Sequence, residues 1–500
     1  MTTPSKPAKG GATATAAAPP ASLLDRIILE GRMTRDASDT LQQAAARRLV
    51  EEFAVQVVDK NITPESDTAK MISRRIEKID ELLSAQVNAI LHTPAFQALE
   101  ARWRGLHDFV MGTETSTTLK LRLLNVSQAE LKNDLDKAVD VDQSTLFKKV
   151  YEEEYGTFGG QPYGLLVGDI EFGRHPEDVG LLKKIAQVAA SAHAPFVAAA
   201  SPRLFDMDDF TELGVPRDLA KIFESSDLAD WRSFRKDEDS RYVALALPHV
   251  LKRLPYGPDT KPVEGFNFKE DTDGRDHRKY LWGNAAYLLA QRITNAFARY
   301  GWCAAIRGVE GGGKVEGLPA HIFRTDDGDK TLKPPTEVAI TDRREKELND
   351  LGFIALCHRK GENYAAFFGG ATTNDAPEFF NPNASANAQL SSQLPYLLAA
   401  SRFAHFLKVM MRDKVGSFQS RENVEKYLNA WIANYVLVLD DAPQSTKAQF
   451  PLRSARVDVT EVPGRPGAYR ATVFLRPHFQ LETLNVSIRL VADLPPPLAA

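Results

Sequence analysis

The sequence has little cysteine, no long apolar run and no excess of either charge, and each shortage removes a class of protein. Cys303 and Cys357 are the only cysteines in 500 residues. They sit in the apolar stretches Trp302-Cys303-Ala304-Ala305-Ile306 and Phe353-Ile354-Ala355-Leu356-Cys357, where a free thiol packs as a small hydrophobe. Two such thiols make no disulfide framework, so a reducing compartment is expected. No stretch approaches the roughly 18 apolar residues of a membrane span, and no membrane insertion is expected. Lys6 and Lys9 lead into an Ala/Thr/Gly/Pro run too weakly apolar for the core of a secretion signal, so the expected location is cytoplasmic. Lysine and arginine total 62 against 66 acidic residues, a net charge of -4. That balance carries no nucleic-acid footprint, which needs a basic face.

Catalytic signatures are missing as well. There is no HExxH, no Cys/His group at zinc spacing and no GxSxG elbow. The ten histidines are scattered, and His249, His321, His358 and His405 lie in apolar surroundings that suit packing better than ligation. Asp326-Asp327-Gly328-Asp329 lacks the spacing and the closing glutamate of a calcium loop. Asp169 follows an apolar run, where α/β enzymes often place a carboxylate, but it stands without partners. Gly308-Val309-Glu310-Gly311-Gly312-Gly313-Lys314-Val315 fits the first seven positions of a phosphate-cradling loop. Val315 stands where a hydroxyl should hold magnesium, and Gly317-Leu318-Pro319 follow where a helix should begin. No catalytic, cofactor-binding or metal-binding residue is assigned.

What remains is structural patterning. Residues 1–21 are small and Pro-rich and read as a disordered tail. Residues 22–115 read as helical: Leu41, Ala45, Leu49, Phe53 and Val57 recur at a spacing of four, and Met71, Ile72, Ile76, Ile79, Leu82 and Leu83 follow a period near 3.6. Thr118-Leu119-Lys120-Leu121-Arg122-Leu123 alternates as a half-buried strand does. Ser127 with Glu130 forms a capping-box pattern, and Asp342 with Glu345 forms another. An apolar run at 164–169, a helical stretch with Leu181, Leu182, Ile185, Val188 and Ala192 on one face, and Phe196-Val197-Ala198-Ala199-Ala200 read as a βαβ unit. Residues 279–300 predict a helix closed by Gly301, residues 353–357 and 364–368 a hairpin, and residues 393–415 and 421–437 two more helices.

The last fifty residues alternate again. Val457 and Val459, then Tyr469 and Val473, then Val486 and Ile488 mark three strands, the first two separated by Pro463-Gly464-Arg465-Pro466-Gly467. Three strands are marginal alone and need a partner surface. The expected class is mixed α/β (α+β): a helical part at 22–115, an α/β core at 116–450 in one or two subdomains, C-terminal antiparallel strands at 451–494 and a short tail at 495–500.

Several segments carry a resemblance. They are Pro162-Tyr163-Gly164-Leu165-Leu166-Val167-Gly168-Asp169, Asp239-Ser240-Arg241-Tyr242-Val243-Ala244-Leu245, and Tyr280-Leu281-Trp282-Gly283-Asn284-Ala285. Two more are Arg299-Tyr300-Gly301-Trp302-Cys303-Ala304-Ala305-Ile306-Arg307-Gly308 through Pro319, and Leu394-Pro395-Tyr396 with Ser401-Arg402-Phe403-Ala404-His405. In this order, over about residues 60–494, the chain resembles the large sheath subunits of type VI secretion systems, the VipB/TssC family. The resemblance implies a non-enzymatic scaffold without cofactors. It implies a heterodimer with a small sheath subunit (VipA/TssB-like) that polymerises helically around an inner tube of a ring-forming protein, on a baseplate. Contraction would expel the tube, and an AAA+ unfoldase would dismantle the contracted form. The resemblance further implies that neighbours share a sheet built on the C-terminal strands, which makes Val457, Val459, Tyr469, Val473, Val486 and Ile488 the expected subunit-interface residues. A sheath subunit of another phage-tail-like contractile system, a degenerate nucleotide-binding enzyme built on residues 308–314, and a non-polymerising adaptor are the alternatives.

Overall fold

The computed structural model describes residues 39–58, 68–325, 327–415, 417, 420–439, 441–463, 468–478 and 480, with Ile28 and Met33 as single positions. Two compact units divide the chain: residues up to 87 with 263–268, and residues 88–262 with 269–500.

In the first unit, helix α1 (Thr40–Val58) and most of α2 (Thr68–Leu91) carry the apolar periodicity read from the sequence. Much of that periodicity faces outward. Leu41 is 81% exposed, and Ile76 and Leu82 are each 54% exposed. Helices whose apolar stripes lie open are incomplete surfaces, of the kind that mark association.

The second unit is built on a six-stranded sheet, in the order β1-β2-β3-β9-β10-β6. Strands β1 (Leu166–Phe172), β2 (Phe196–Ala200), β3 (Val243–Leu247) and β9 (Phe353–His358) run parallel. β10 (Ala365–Phe367) and β6 (Lys314–Val315) continue the sheet antiparallel. Alternate residues feed two cores. Ala198, Leu245 and Phe353 share one face with Leu182 and Ile185 of α5 (Pro176–Ala192) and with Phe205 and Trp231. Val197, Ala244, Ala246 and Ile354 share the other with Leu289 and Ile293 of α6 (Ala286–Tyr300) and Leu398 of α8 (Leu394–Asp413). Both faces are therefore dry, as the continuous apolar runs at β2 and β3 imply.

Helix α3 (Pro94–Met111) lies so close to α6 that a Cβ on Gly105 would sit 2.7 Å from the Tyr287 ring. The capping box at Ser127 and Glu130 opens α4 (Gln128–Lys137) as expected. Helix α7 (Asp342–Asp350) is capped one residue earlier than read, by Thr341, whose hydroxyl accepts from the Arg344 N–H. Helix α6 starts at Ala286 rather than 279, because Trp282 and Gly283 form β5 and pair with β4 (Val250–Leu251). The stretch 118–123 is extended but pairs with no strand among the described residues. Its alternation meets no ladder among the described residues. A further short hairpin, β7 (His321–Arg324) with β8 (Lys330–Lys333), projects beyond the sheet.

The glycine-rich loop at 308–313 lacks the helix that follows a phosphate-cradling loop. The Gly308 N–H donates to the Phe367 carbonyl at 2.7 Å, and the Gly313 N–H donates to the Gly308 carbonyl at 2.8 Å. These two donors are used in a turn that leads into β6, not into a helix. Lys314 pairs with Glu316 and lies over the Tyr364 ring.

Candidate subunit-linkage site

Helix α9 (Arg421–Ala433) and the hairpin of β11 (Leu452–Glu461) and β12 (Tyr469–Pro477) make a module after α8. The two strands pair antiparallel, with Val457 opposite Val473, Val459 opposite Ala471 and Glu461 opposite Tyr469. Directly opposed residues share a face. Val457 and Val459 are buried, and Tyr469 and Val473 are half-buried beside them, against Phe403 and Leu407 of α8 and Val424, Leu428 and Ile432 of α9. Trp302, which follows the end of α6, stacks on Phe403 with ring centres 4.3 Å apart. Four of the six residues expected at the interface therefore pack inward within one chain. Val486 and Ile488 lie outside the described residues. These four side chains are taken up by the module's own core.

The two backbone edges are not alike. The outer edge of β11 is capped at several points. The Val457 N–H donates to Asn429 Oδ1 at 2.9 Å, and Asn429 Nδ2 donates back to the Val457 carbonyl at 2.7 Å. Two residues on, the Val459 N–H donates to Glu425 Oε2 at 3.0 Å. At the strand's start, the Leu452 N–H donates to the Tyr435 carbonyl and the Leu437 N–H donates to the Leu452 carbonyl. The spacing explains the match: four residues of helix rise about 6 Å and two residues of strand about 6.6 Å. The carboxamide of Asn429 stands in for a strand peptide. Nothing in the sequence flags this pair, because polar residues four apart on a helix read as a solvated face.

The Val457 N–H points away from β12, so Val457 and Val473 form a non-hydrogen-bonded pair. The N–H groups of Ala471, Val473 and Leu475 then face the outer edge of β12. Among the described residues no strand pairs there. The outward face beside this edge is mixed: Phe474 is half exposed, with the Arg456 guanidinium 4.8 Å from its ring centre.

A second open surface lies on the same unit. A groove of about 720 Å³ runs between α3, the unpaired stretch 117–123, α6 and α8, with Leu106, Phe109, Phe297, Leu398 and Phe406 in its walls. Burial pushes the Cys303 thiol in its lining up to about 12, which makes it a poor nucleophile. Burial also lowers the pKa of the Arg402 guanidinium, which lies over Phe406. Asp169 lies on β1, where Asn284 Nδ2 donates to it at 3.3 Å, and burial raises its pKa. Asn284 also accepts from the Ala286 N–H at 2.7 Å, so the carboxylate steadies the start of α6.

Residues 73–374 match the VipB family model described as the tail sheath N-terminal domain, and residues 383–494 match a second one described as the tail sheath gpW/gp25-like domain. The Type VI secretion system sheath protein TssC1 of Pseudomonas aeruginosa is 50% identical over 457 residues, covering 90% of this chain and 91% of that one. Looser likenesses occur among solved structures. A chain of the PVC sheath complex of an extracellular contractile injection system, in its contracted state, gives a TM-score of 0.35 at 9% identity, over 63% of this chain and 69% of that one. A chain of the anti-feeding prophage baseplate gives 0.33 at 13% identity, over 62% and 64%. No described helix is long and apolar enough to cross a membrane. With one family model spanning the central sheet and a second spanning the helix–hairpin module, the chain belongs to the VipB family of tail sheath proteins.

Proposed function

We propose that this chain is the large subunit of a type VI secretion contractile sheath, a cytoplasmic structural protein without catalytic activity. It pairs with a small sheath subunit. The heterodimers stack helically around an inner tube of ring protein on a baseplate, and contraction drives the tube outward. An AAA+ unfoldase acts on the contracted form.

The observation that supports assembly most directly is the one-sided hairpin. With β11 capped at Val457 and Val459 by Asn429 and Glu425, the shared sheet grows from the β12 side. A strand from a neighbour extends it there, by strand addition. The apolar groove and the open faces of α1 and α2 are surfaces for the small subunit.

Co-expression with the small subunit, followed by negative-stain electron microscopy, tests this. Wild type should give hollow tubes that require both chains. Val473→Pro removes an N–H that faces the open edge and breaks no β11–β12 bond. It should abolish tubes while leaving soluble heterodimer with unchanged circular dichroism. Tubes that form normally with Val473→Pro would sink the edge assignment.

A further inference from the structure

Away from the hairpin, three separate stretches of chain meet in the second unit. Asp209 precedes the short turn Phe210–Gly214, His277 opens the turn His277–Lys279, and Glu337 lies between β8 and α7. We propose that Asp209, His277 and Glu337 form a binding site for a divalent transition metal, with zinc the ion that fits best.

The geometry comes first. His277 Nε2 lies 3.6 Å from Asp209 Oδ2 and 3.5 Å from Glu337 Oε1. One ligand atom from each of the three residues falls within 4.8 Å of the others. Both separations lie beyond the usual range of about 2.7–3.2 Å for an N–H···O hydrogen bond. They match the edge of a tetrahedron around an ion with bonds near 2.1 Å, which is about 3.4 Å. One imidazole with two carboxylates suits zinc. Calcium and magnesium prefer shells of oxygen alone.

Further contacts hold each of the three residues in place, as metal ligands are held. Glu337, whose side chain is 2% exposed, takes a 2.6 Å hydrogen bond from His249 Nδ1 on its second oxygen. His249 is itself held at its other nitrogen, 3.0 Å from Glu171 Oε1. The Phe210 N–H donates to Glu337 Oε1 at 3.3 Å. Asp209 Oδ1 accepts from the Thr211 N–H at 3.1 Å, which leaves Oδ2 for the ion. The His277 carbonyl accepts from Trp282 Nε1 at 2.8 Å and fixes the turn. The side chains of His277 and Asp209 are 17% and 22% exposed, so an ion can enter and water can complete its shell. A bound ion would clamp three excursions that otherwise meet only through side chains.

The test uses the full chain, stripped with a chelator and titrated with zinc chloride by calorimetry. The expected result is one zinc per chain and a melting temperature raised by zinc. His277→Gln and Asp209→Asn should each weaken binding roughly 10- to 100-fold, with unchanged circular dichroism. Should His277→Gln not fold, Asp209→Asn at the more exposed position decides alone. X-ray absorption at the zinc edge should show nitrogen and oxygen ligands. No uptake, equal affinity in the folded variants, or sulfur in the shell would each overturn the proposal.

Discussion

The central sheet and the C-terminal hairpin use the same backbone chemistry and end in opposite conditions. In the central sheet every residue of β2 and β3 is buried, helices cover both faces and each of these strands has a neighbour on each side. Among the described residues, one face of the hairpin is covered, and one of its two edges is capped. A sheet finished on all sides is a frame. A sheet left open along one line is a connector, and the difference lies in what covers it.

Mutations should separate the two roles. The largest effect on stability belongs to the frame. Phe353 is fully buried, stacks on Trp231 and meets Phe205 at a tilt. Phe353→Ala should cost about 3–5 kcal/mol in urea unfolding. Val473→Pro, by contrast, should leave unfolding nearly unchanged and remove assembly. A large stability loss in Val473→Pro would break the comparison.

Next in size is the seam. Helix α8 packs Leu394 and Leu398 on the central sheet and Phe403 and Leu407 on the hairpin module. Midway, His405 Nε2 donates to the Ala192 carbonyl at the end of α5 at 2.9 Å. Burial first, then the nearby Arg402, His193 and Lys408, lower its pKa to about 4, with the Tyr155 ring packed edge-on. The folded chain thus favours the neutral ring. Its contribution is complete above the ordinary histidine value near 6.5 and drains as pH falls toward 4, by up to about 3 kcal/mol. Melting curves from pH 7 to 4 should show that loss, and His405→Asn should flatten it.

The smallest expected change sharpens the edge argument. Asn429→Ala leaves the N–H and carbonyl of Val457 without their partner, at a cost of about 1–3 kcal/mol. It also opens the second edge of the hairpin. Co-expressed Asn429→Ala chains should form irregular, laterally joined sheaths under the microscope, while regular tubes would mean that the cap serves stability alone.

Much of this was legible in the sequence, and the reasons divide cleanly. The alternation at 455–459 and 469–475 survives as a hairpin because its apolar residues meet α8 and α9. The βαβ unit was readable because strands buried on both faces must be apolar throughout. The same alternation at 118–123 misled, since period two reports a half-buried extended chain and not the presence of a neighbour. Asn429 and Glu425 were invisible because their meaning depends on a strand 28 and 34 residues away. His249 reads in sequence as a packing histidine, and the structure holds it between Glu337 and Glu171. Asp209, His277 and Glu337 have no local spacing to detect.

The carboxamide of Asn429 sets the valence of the hairpin. In the proposed sheath, with Val457 and Val459 capped from within, each copy would accept a strand on the β12 side, and a unit with one acceptor cannot branch. Growth would then be confined to a line with a defined direction. A single side chain, by imitating a peptide, distinguishes a countable series of links from an unbounded sheet.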